Sequence, residues 1–344
     1  MQGRVDRLVP YGYATTPIKT FHAWGDELLR ENAHRLGISG ELRVLSRAEV
    51  VLLLREHLFD LGLSRFLPLG DPTRFLGDIA GYFSRAKEEA IDADRIEGFA
   101  AELRLRASGA AAEAEATGNG DLAAYAAALA QLGDEHGELA VAFRAYRRLL
   151  ATLGLLDFGD QVLLAYELLR DDPLVAARVR ERHRWLLVDE YQDTNRLQGT
   201  LVDLLAEGRR NLTVVGDDDQ SIYRFRGASI GNILSFVDRY PDASKVVLTQ
   251  NYRSSAPILA AARRLVRFND PERLEVRLGI PKELSAERSA ADAPPVAFRR
   301  FRTSGDEADW IAREIKASVE SRSEEHTSEL QSLAYLVCRL LLEK

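Results

Sequence analysis

RWLLVDEYQDTN, residues Arg184 to Asn195, decides how the rest of the chain is read. An apolar run, Trp185 to Val188, stops abruptly at Asp189 and Glu190, and a polar cluster follows. Such a run before two acids reads as a buried parallel strand that delivers its carboxylates to the sheet's carboxyl edge, where open α/β folds bind ligands. An acid there can hold the Mg2+ that bridges nucleotide phosphates while its neighbour orients the attacking water, which assigns Asp189 to the metal and Glu190 to the water. The same pair also fits a solvated strand end, so the flanking segments have to decide.

Working outward, LQGTLVDLLAEG predicts a helix, and Leu212 to Val215 a second strand that again ends in acids, GDDDQ. Residues 229–239 predict a helix, Val246 to Thr249 a strand and Ala256 to Arg267 another helix. Strands alternating with helices at this spacing predict an α/β fold with a doubly wound parallel sheet. Upstream, LLDFGDQVLLAYELL (155–169) predicts a helix N-capped by Asp157, and a helix over Pro173 to Arg182 leads into the central strand. From Leu42 to Leu149 the apolar spacing is helical throughout, interrupted by SGAAAEAEATGNGD, which reads as a loose linker or frayed helix end. An all-helical block inside a sheet-forming chain is an inserted subdomain. Before it, a short strand near Pro17 to Lys19 is expected to join the sheet of Asp189, followed by an amphipathic helix from His22 to Arg35. PPVAFRRF (294–301) predicts a strand backed by a helix from Asp306 to Val319, the opening of a second α/β domain.

Composition narrows the class. A chain of 344 residues can form two or three domains. There is no run of about 18 uncharged apolar residues, and MQGRVDRLVP lacks the apolar core of a signal peptide, so the chain reads as soluble and cytoplasmic. The single cysteine, Cys338, excludes an internal disulfide framework, and the scattered histidines offer no metal-ligand spacing. Any metal is then expected on carboxylates. A net charge of -7 argues against coating nucleic acid through bulk charge, yet leaves room for a local basic groove.

Two further strings carry chemistry. In GDDDQSIYRFRGA (216–228), Gln220 is positioned to reach a terminal phosphate or its attacking water, and Tyr223 and Phe225 alternate with Arg224 and Arg226, offering flat faces for bases and cations for phosphates. In LTQNYRSS (248–255), Arg253 could set a guanidinium on a transferring phosphate and Tyr252 could stack on adenine. Taken singly, the first also reads as a helix-loop boundary with surface arginines and the second as a turn before a helix.

In this order, DEYQDTN, VVGDDDQSIYRFRGA and LTQNYRSS resemble motifs II, III and IV of the UvrD/Rep/PcrA family of superfamily 1 DNA helicases. TFHAWGD, Thr20 to Asp26, is similar to motif Ib, and LDFGDQ to the segment where the chain returns to domain 1A. The resemblance spans residues 1–320 and implies an incomplete RecA-like P-loop NTPase sheet. Its domains would be 1–41 as a remnant of domain 1A, 42–149 as helical domain 1B, 150–250 as the core of 1A and 251–320 as the start of a second RecA-like domain, 2A. It implies ATP-driven 3′ to 5′ movement on single-stranded DNA or 3′-tailed duplex by a monomer that needs no membrane, in repair or replication restart. It also implies Mg2+ on Asp189, water activation at Glu190, γ-phosphate sensing by Gln220 and Arg253, and adenine stacking on Tyr252. For DNA it implies base stacking on Tyr223 and Phe225, coupling through Arg226, and strand contacts from Thr20, Phe21 and His22.

Two departures stand out. A phosphate-cradling G-x-x-x-x-G-K-[ST] loop is missing, since no lysine follows a glycine. The expectation is a fragment that begins after that loop and stops before motifs V and VI, inactive as an ATPase by itself; the alternative is a non-catalytic DNA-binding module or an inert gene product. Residues 321–344 resemble translated sequencing adapter, although Leu330, Leu333, Leu336, Val337 and Leu340 would share one helical face. No function is expected of that tail.

Overall fold

The computed structural model describes residues 17–36, 42–221, 230–288 and 296–321. The chain divides into two compact units, Met1–Lys245 and Val246–Lys344. Asp189 and Gln220 belong to the first, Arg253 to the second.

The first unit opens on α1, Phe21–Glu31, whose start is set by Thr20: its extended backbone lets Oγ1 accept the Ala23 N–H at 3.2 Å. A single turn, α2 (Ala33–Leu36), follows. Strand β1, Arg43–Leu45, runs into α3, Arg47–Glu56, through a capping box in which Ser46 and Glu49 exchange backbone-to-side-chain bonds of 2.8 and 3.3 Å. Helices α4 (Leu76–Glu88), α5 (Ala93–Thr117) and α6 (Gly120–Leu153) complete a helical block. Asp92 and Asn119 cap the starts of α5 and α6, and both helices end on left-handed glycines, Gly118 (φ 66°) and Gly154 (φ 65°). The block's core is built on Phe83, whose ring lies 5.0 Å from that of Phe143 and 5.2 Å from that of Tyr146.

Strand β2, Leu155–Asp157, pairs in parallel with β1, Leu45 opposite Asp157, so the helical block leaves and returns at adjacent strands. Helix α7, Asp160–Asp171, and α8, Pro173–Arg182, lead to β3, Leu186–Val188. A 3-10 turn at Tyr191–Asp193 precedes α9, Arg196–Ala206, and β4, Leu212–Val214, pairs in parallel with β3. Two short helices, α10 (Ile230–Leu234) and α11 (Phe236–Arg239), close the unit. Its second core joins Leu29 of α1, Leu156 of β2, Val162 and Leu169 of α7, Val175 of α8 and Leu201 of α9. The second unit holds β5 (Gln250–Asn251), α12 (Ala256–Val266), α13 (Leu274–Arg277), β6 (Ser285–Ala286), parallel to β5, and α14 (Ser304–Ser321).

Several expectations change. The predicted single doubly wound sheet is, among the described residues, three separate two-stranded parallel sheets, because each short strand finds one partner. Residues 17–20 are exposed and carry no ladder, and the segment that follows them joins the core through α1 packing on α7. Arg43–Leu45 are strand, since β2 is at hand to take their backbone bonds. SGAAAEAEATGNGD is mostly helical up to Thr117, as its alanines and glutamates favour, and only Gly118 and Asn119 break it. Asp157 ends a strand and is not the N-cap of α7, which is Gly159 and makes no side-chain cap bond. Asp157 is tied to the helix start instead, with Asp160 N–H bonding to Asp157 Oδ1 and Asp157 N–H to Asp160 Oδ2, both at 3.0 Å. The strand predicted at Val246 to Thr249 lies further on, because β6 hydrogen-bonds Thr249 and Asn251, leaving Val246 and Leu248 exposed. Residues 296–301 form no strand. Strand β3 is parallel but not buried: Leu187 stays 78% exposed because one face of this two-stranded sheet is uncovered. No helix among the described residues is long and apolar enough to cross a membrane.

Candidate functional site

The parallel pairing of β3 and β4 brings two acidic strand ends side by side. Beyond the ladder, Val215 N–H bonds to Val188 O (2.8 Å) and Tyr191 N–H returns to Val215 O (2.9 Å). Between those bonds the chain bulges outward through Asp189 and Glu190, both exposed. Glu190 is held in the left-handed region, φ 51° and ψ 45°, which costs a non-glycine residue about 1 kcal/mol. Asp189 Oδ1 accepts the Glu190 N–H at 3.1 Å, supporting that turn.

A hydrogen-bonded line of side chains links the two strand ends. Gln192, only 1% exposed, donates from Nε2 to Glu190 Oε2 (2.7 Å) and accepts the Asp217 N–H at Oε1 (3.0 Å). Asp217 Oδ2 in turn accepts Gln220 Nε2 at 2.9 Å. Thus Glu190, Gln192, Asp217 and Gln220 form one network across the carboxyl edge. Gly216 lies under it: a Cβ there would stand 2.7 Å from Gln192 Oε1 and 2.9 Å from Ile233 Cδ1. Asp193 has a buried Oδ1 without a hydrogen-bond partner among the described residues, and burial followed by the Glu190 charge pushes its carboxyl above the usual range. For a cation, carboxylate oxygens of Asp217, Asp218 and Asp219 lie within 4.8 Å of one another, and Asp189 projects from the neighbouring strand end; such all-oxygen donors suit a hard divalent ion.

The buried side of DEYQDTN is anchored by α9 to α11. Tyr191 is fully buried, accepts a bond from Arg239 (3.0 Å) and stacks edge-on against Phe236 at 5.6 Å. Asn232 Nδ2 reaches Thr194 Oγ1 (3.0 Å) and Asn195 O (2.8 Å), close enough to Gly199 that a Cβ there would collide with it. Tyr223, Phe225 and Arg226 lie outside the described residues.

A second face lies at α1. Thr20 uses its hydroxyl to cap the helix, and Phe21 is half-buried against the second core. His22 stacks on Phe158, with centroids 3.8 Å apart and planes 22° apart, and Phe158 is 60% exposed. Burial lowers the His22 pKa. In the second unit, Asn251 Oδ1 accepts the N–H groups of Arg253 (3.1 Å) and Ser254 (2.7 Å), shaping the loop that presents Arg253, while Arg288 donates to Arg253 O at 2.9 Å. Tyr252 is 70% exposed and donates its hydroxyl to Gln250 Oε1. Gln192 and Phe158 carry no expected role from sequence, although both stand inside the segments DEYQDTN and LDFGDQ. The available signals were an uncharged amide between acids and an aromatic between Asp157 and Gly159.

Acids gathered at the carboxyl ends of parallel strands mark where α/β proteins bind ligands, and the comparisons give the family. Residues 1–241 match the UvrD/REP helicase N-terminal domain and residues 246–339 the UvrD-like helicase C-terminal domain, so the chain belongs to the UvrD/REP family of DNA helicases. It is 32% identical over 305 residues to the ATP-dependent DNA helicase PcrA of Leuconostoc citreum, covering 89% of this chain and 35% of that protein. The PcrA of Staphylococcus epidermidis RP62A is 30% identical over 318 residues, 92% of this chain and 37% of its own length. The chain therefore spans little more than a third of these curated relatives.

Proposed function

We propose that this chain is part of an ATP-driven motor that moves 3′ to 5′ on single-stranded DNA, acting on single strands and 3′-tailed duplexes in repair or replication restart. The observation that carries this reading is the network joining Glu190 to Gln220 through Gln192 and Asp217, which couples the two groups a terminal phosphate and its attacking water require. Asp189 would hold Mg2+, whose chemistry is to neutralise phosphate charge. Glu190 orients the water, Gln220 and Arg253 read the γ-phosphate, and Tyr252 stacks on adenine. Thr20, Phe21 and His22 follow the DNA strand together with Phe158, and Tyr223, Phe225 and Arg226 take bases and phosphates further along. We read the protein as cytoplasmic and this chain as a monomer.

The second reading, a DNA-binding module without catalysis, is favoured by one observation: these 344 residues contain no Gly-Lys-[Ser/Thr] phosphate loop. The chain alone is therefore expected to show no ATPase activity. DNA-stimulated phosphate release that vanishes in Glu190→Gln would overturn that expectation. Two or three stacked bases at about 1–3 kcal/mol each correspond to about millimolar to micromolar affinity, within reach of fluorescence anisotropy with a short oligonucleotide at low salt. No binding there would remove the module reading.

A further inference from the structure

We propose that Gln192 is a positioning residue that locks the orientation of the Glu190 carboxylate to the position of the Asp217–Gln220 loop. What that position is used for rests on the phosphate reading above. The lock itself rests on geometry.

A primary amide carries a donating NH2 on one side and an accepting carbonyl oxygen on the other, in one rigid plane. In Gln192 the donor side meets Glu190 Oε2 at 2.7 Å and the acceptor side meets Asp217 N–H at 3.0 Å. Turning the amide over would set a carbonyl against a carboxylate and an NH2 against an N–H, so its orientation is fixed by its partners. Neither Glu nor Met could hold both ends: a carboxylate at 192 would repel Glu190, and a thioether would leave the Asp217 amide without its acceptor. The side chain is almost fully buried, and Gly216 provides the room it needs, since any Cβ at 216 would press on Gln192 Oε1. Glu190 needs such a tether. It projects from a left-handed residue on an exposed bulge, where an untethered side chain would sample several rotamers.

The tether also works in reverse. Gln220 hangs from Asp217 Oδ2, and Asp217 hangs from Gln192. A ligand that draws Gln220 and its loop in one direction therefore pulls on the amide that aims Glu190. Glu190 and Asp217 share no direct bond among the described residues, and Gln192 touches both.

The test is a double-mutant cycle on the full chain without nucleotide, reading hydrogen exchange of the Asp217 amide by NMR on deuterated, 15N-labelled protein. Gln192→Met should raise that exchange about five- to ten-fold, as expected for losing one buried hydrogen bond. Glu190→Ala removes an exposed side chain that does not touch Asp217. It should still raise the same exchange about three-fold or more, because the freed amide loses its charged partner. In the double variant the two effects should not multiply. The Val215 amide, bonded to Val188 O, should stay unchanged in all three and report that the strands are intact. Unchanged exchange in Glu190→Ala, or effects that multiply independently, would overturn the proposal. Because no nucleotide is present, this outcome is separate from phosphate release and oligonucleotide binding, which test the phosphate reading.

Discussion

Lys87 and Asp157 meet 2.6 Å apart in the interior, the ammonium from helix α4 of the inserted block and the carboxylate from the end of strand β2. Asp160 lies 2.7 Å from the same nitrogen, Tyr146 donates to Asp157 Oδ2 at 2.8 Å, and the ammonium sits 5.0 Å over the Tyr146 ring. Burial pushes Asp157 up, but the Lys87 charge and the bonds from Lys87 and Tyr146 outweigh it and hold its pKa below the usual value. Asp160, deeper still, is raised by burial. Lys87→Met would leave two buried carboxylates facing each other without their cation. We expect a loss of about 3–5 kcal/mol, checked by urea unfolding.

Gly25 allows α1 to lie directly on α7. A Cβ at that position would stand 2.2 Å from the backbone oxygen of Gln161, and a backbone atom cannot swing aside as a side chain can. Gly25→Ala should therefore force the helices apart and cost about 1–3 kcal/mol despite its gain in helix propensity. Calorimetry would show a lowered Tm, whereas Gly77→Ala, with open space around it in α4, should be neutral or stabilising.

Stability should fall as pH drops below the ordinary histidine value of 6.5. His22, His136 and His183 all have pKa values lowered by burial, so the unfolded chain takes up protons that the folded chain refuses. The folded state loses stability from that value downward, until these imidazoles protonate in place. His183 has a specific reason to stay neutral: its Nε2 accepts the Trp24 indole N–H at 3.2 Å. Thermal melts between pH 7.5 and 5.5 should show a falling Tm, with a shallower fall in His183→Gln, which keeps an acceptor and cannot titrate.

Phe158 should matter for DNA and little for folding. It is 60% exposed and stacked on His22, so Phe158→Ala should change stability by no more than about 0.5 kcal/mol. Losing one stacked base at about 1–3 kcal/mol would weaken oligonucleotide binding about five- to hundred-fold. Anisotropy at low salt measures it, and equal affinity in the two proteins would take Phe158 out of the DNA face.

Local chemistry made much of this legible. Strands β3 and β4 announce themselves as apolar runs ending in acids, whereas the helix starts at Ser46, Asp92, Asp172 and Asn195 are set by capping side chains and the one cap expected from sequence, Asp157, ends a strand. Burial of β3 was not legible, because it depends on how many neighbours a strand finds, and Leu187 has too few. Nor was the strand character of Arg43–Leu45, whose partner lies beyond the whole helical block. At the site, residue types pointed to Asp189, Glu190 and Gln220, but an amide such as Gln192 gains its meaning only from what stands on each side of it.

The pairing of Leu45 with Asp157 makes the helical block a detachable module in topological terms. Its two ends emerge from neighbouring parallel strands, about 4.8 Å apart across the sheet and, since Leu155 lies opposite Arg43, about 6.6 Å apart along it, so the excursion has only a short gap to span. Parallel strands need a crossover of about a dozen residues or more, which sets a floor on how far the excursion could be shortened or exchanged for another. Any transplanted segment would also inherit one electrostatic obligation: to bring a positive charge back to Asp157 and Asp160, where Lys87 now stands.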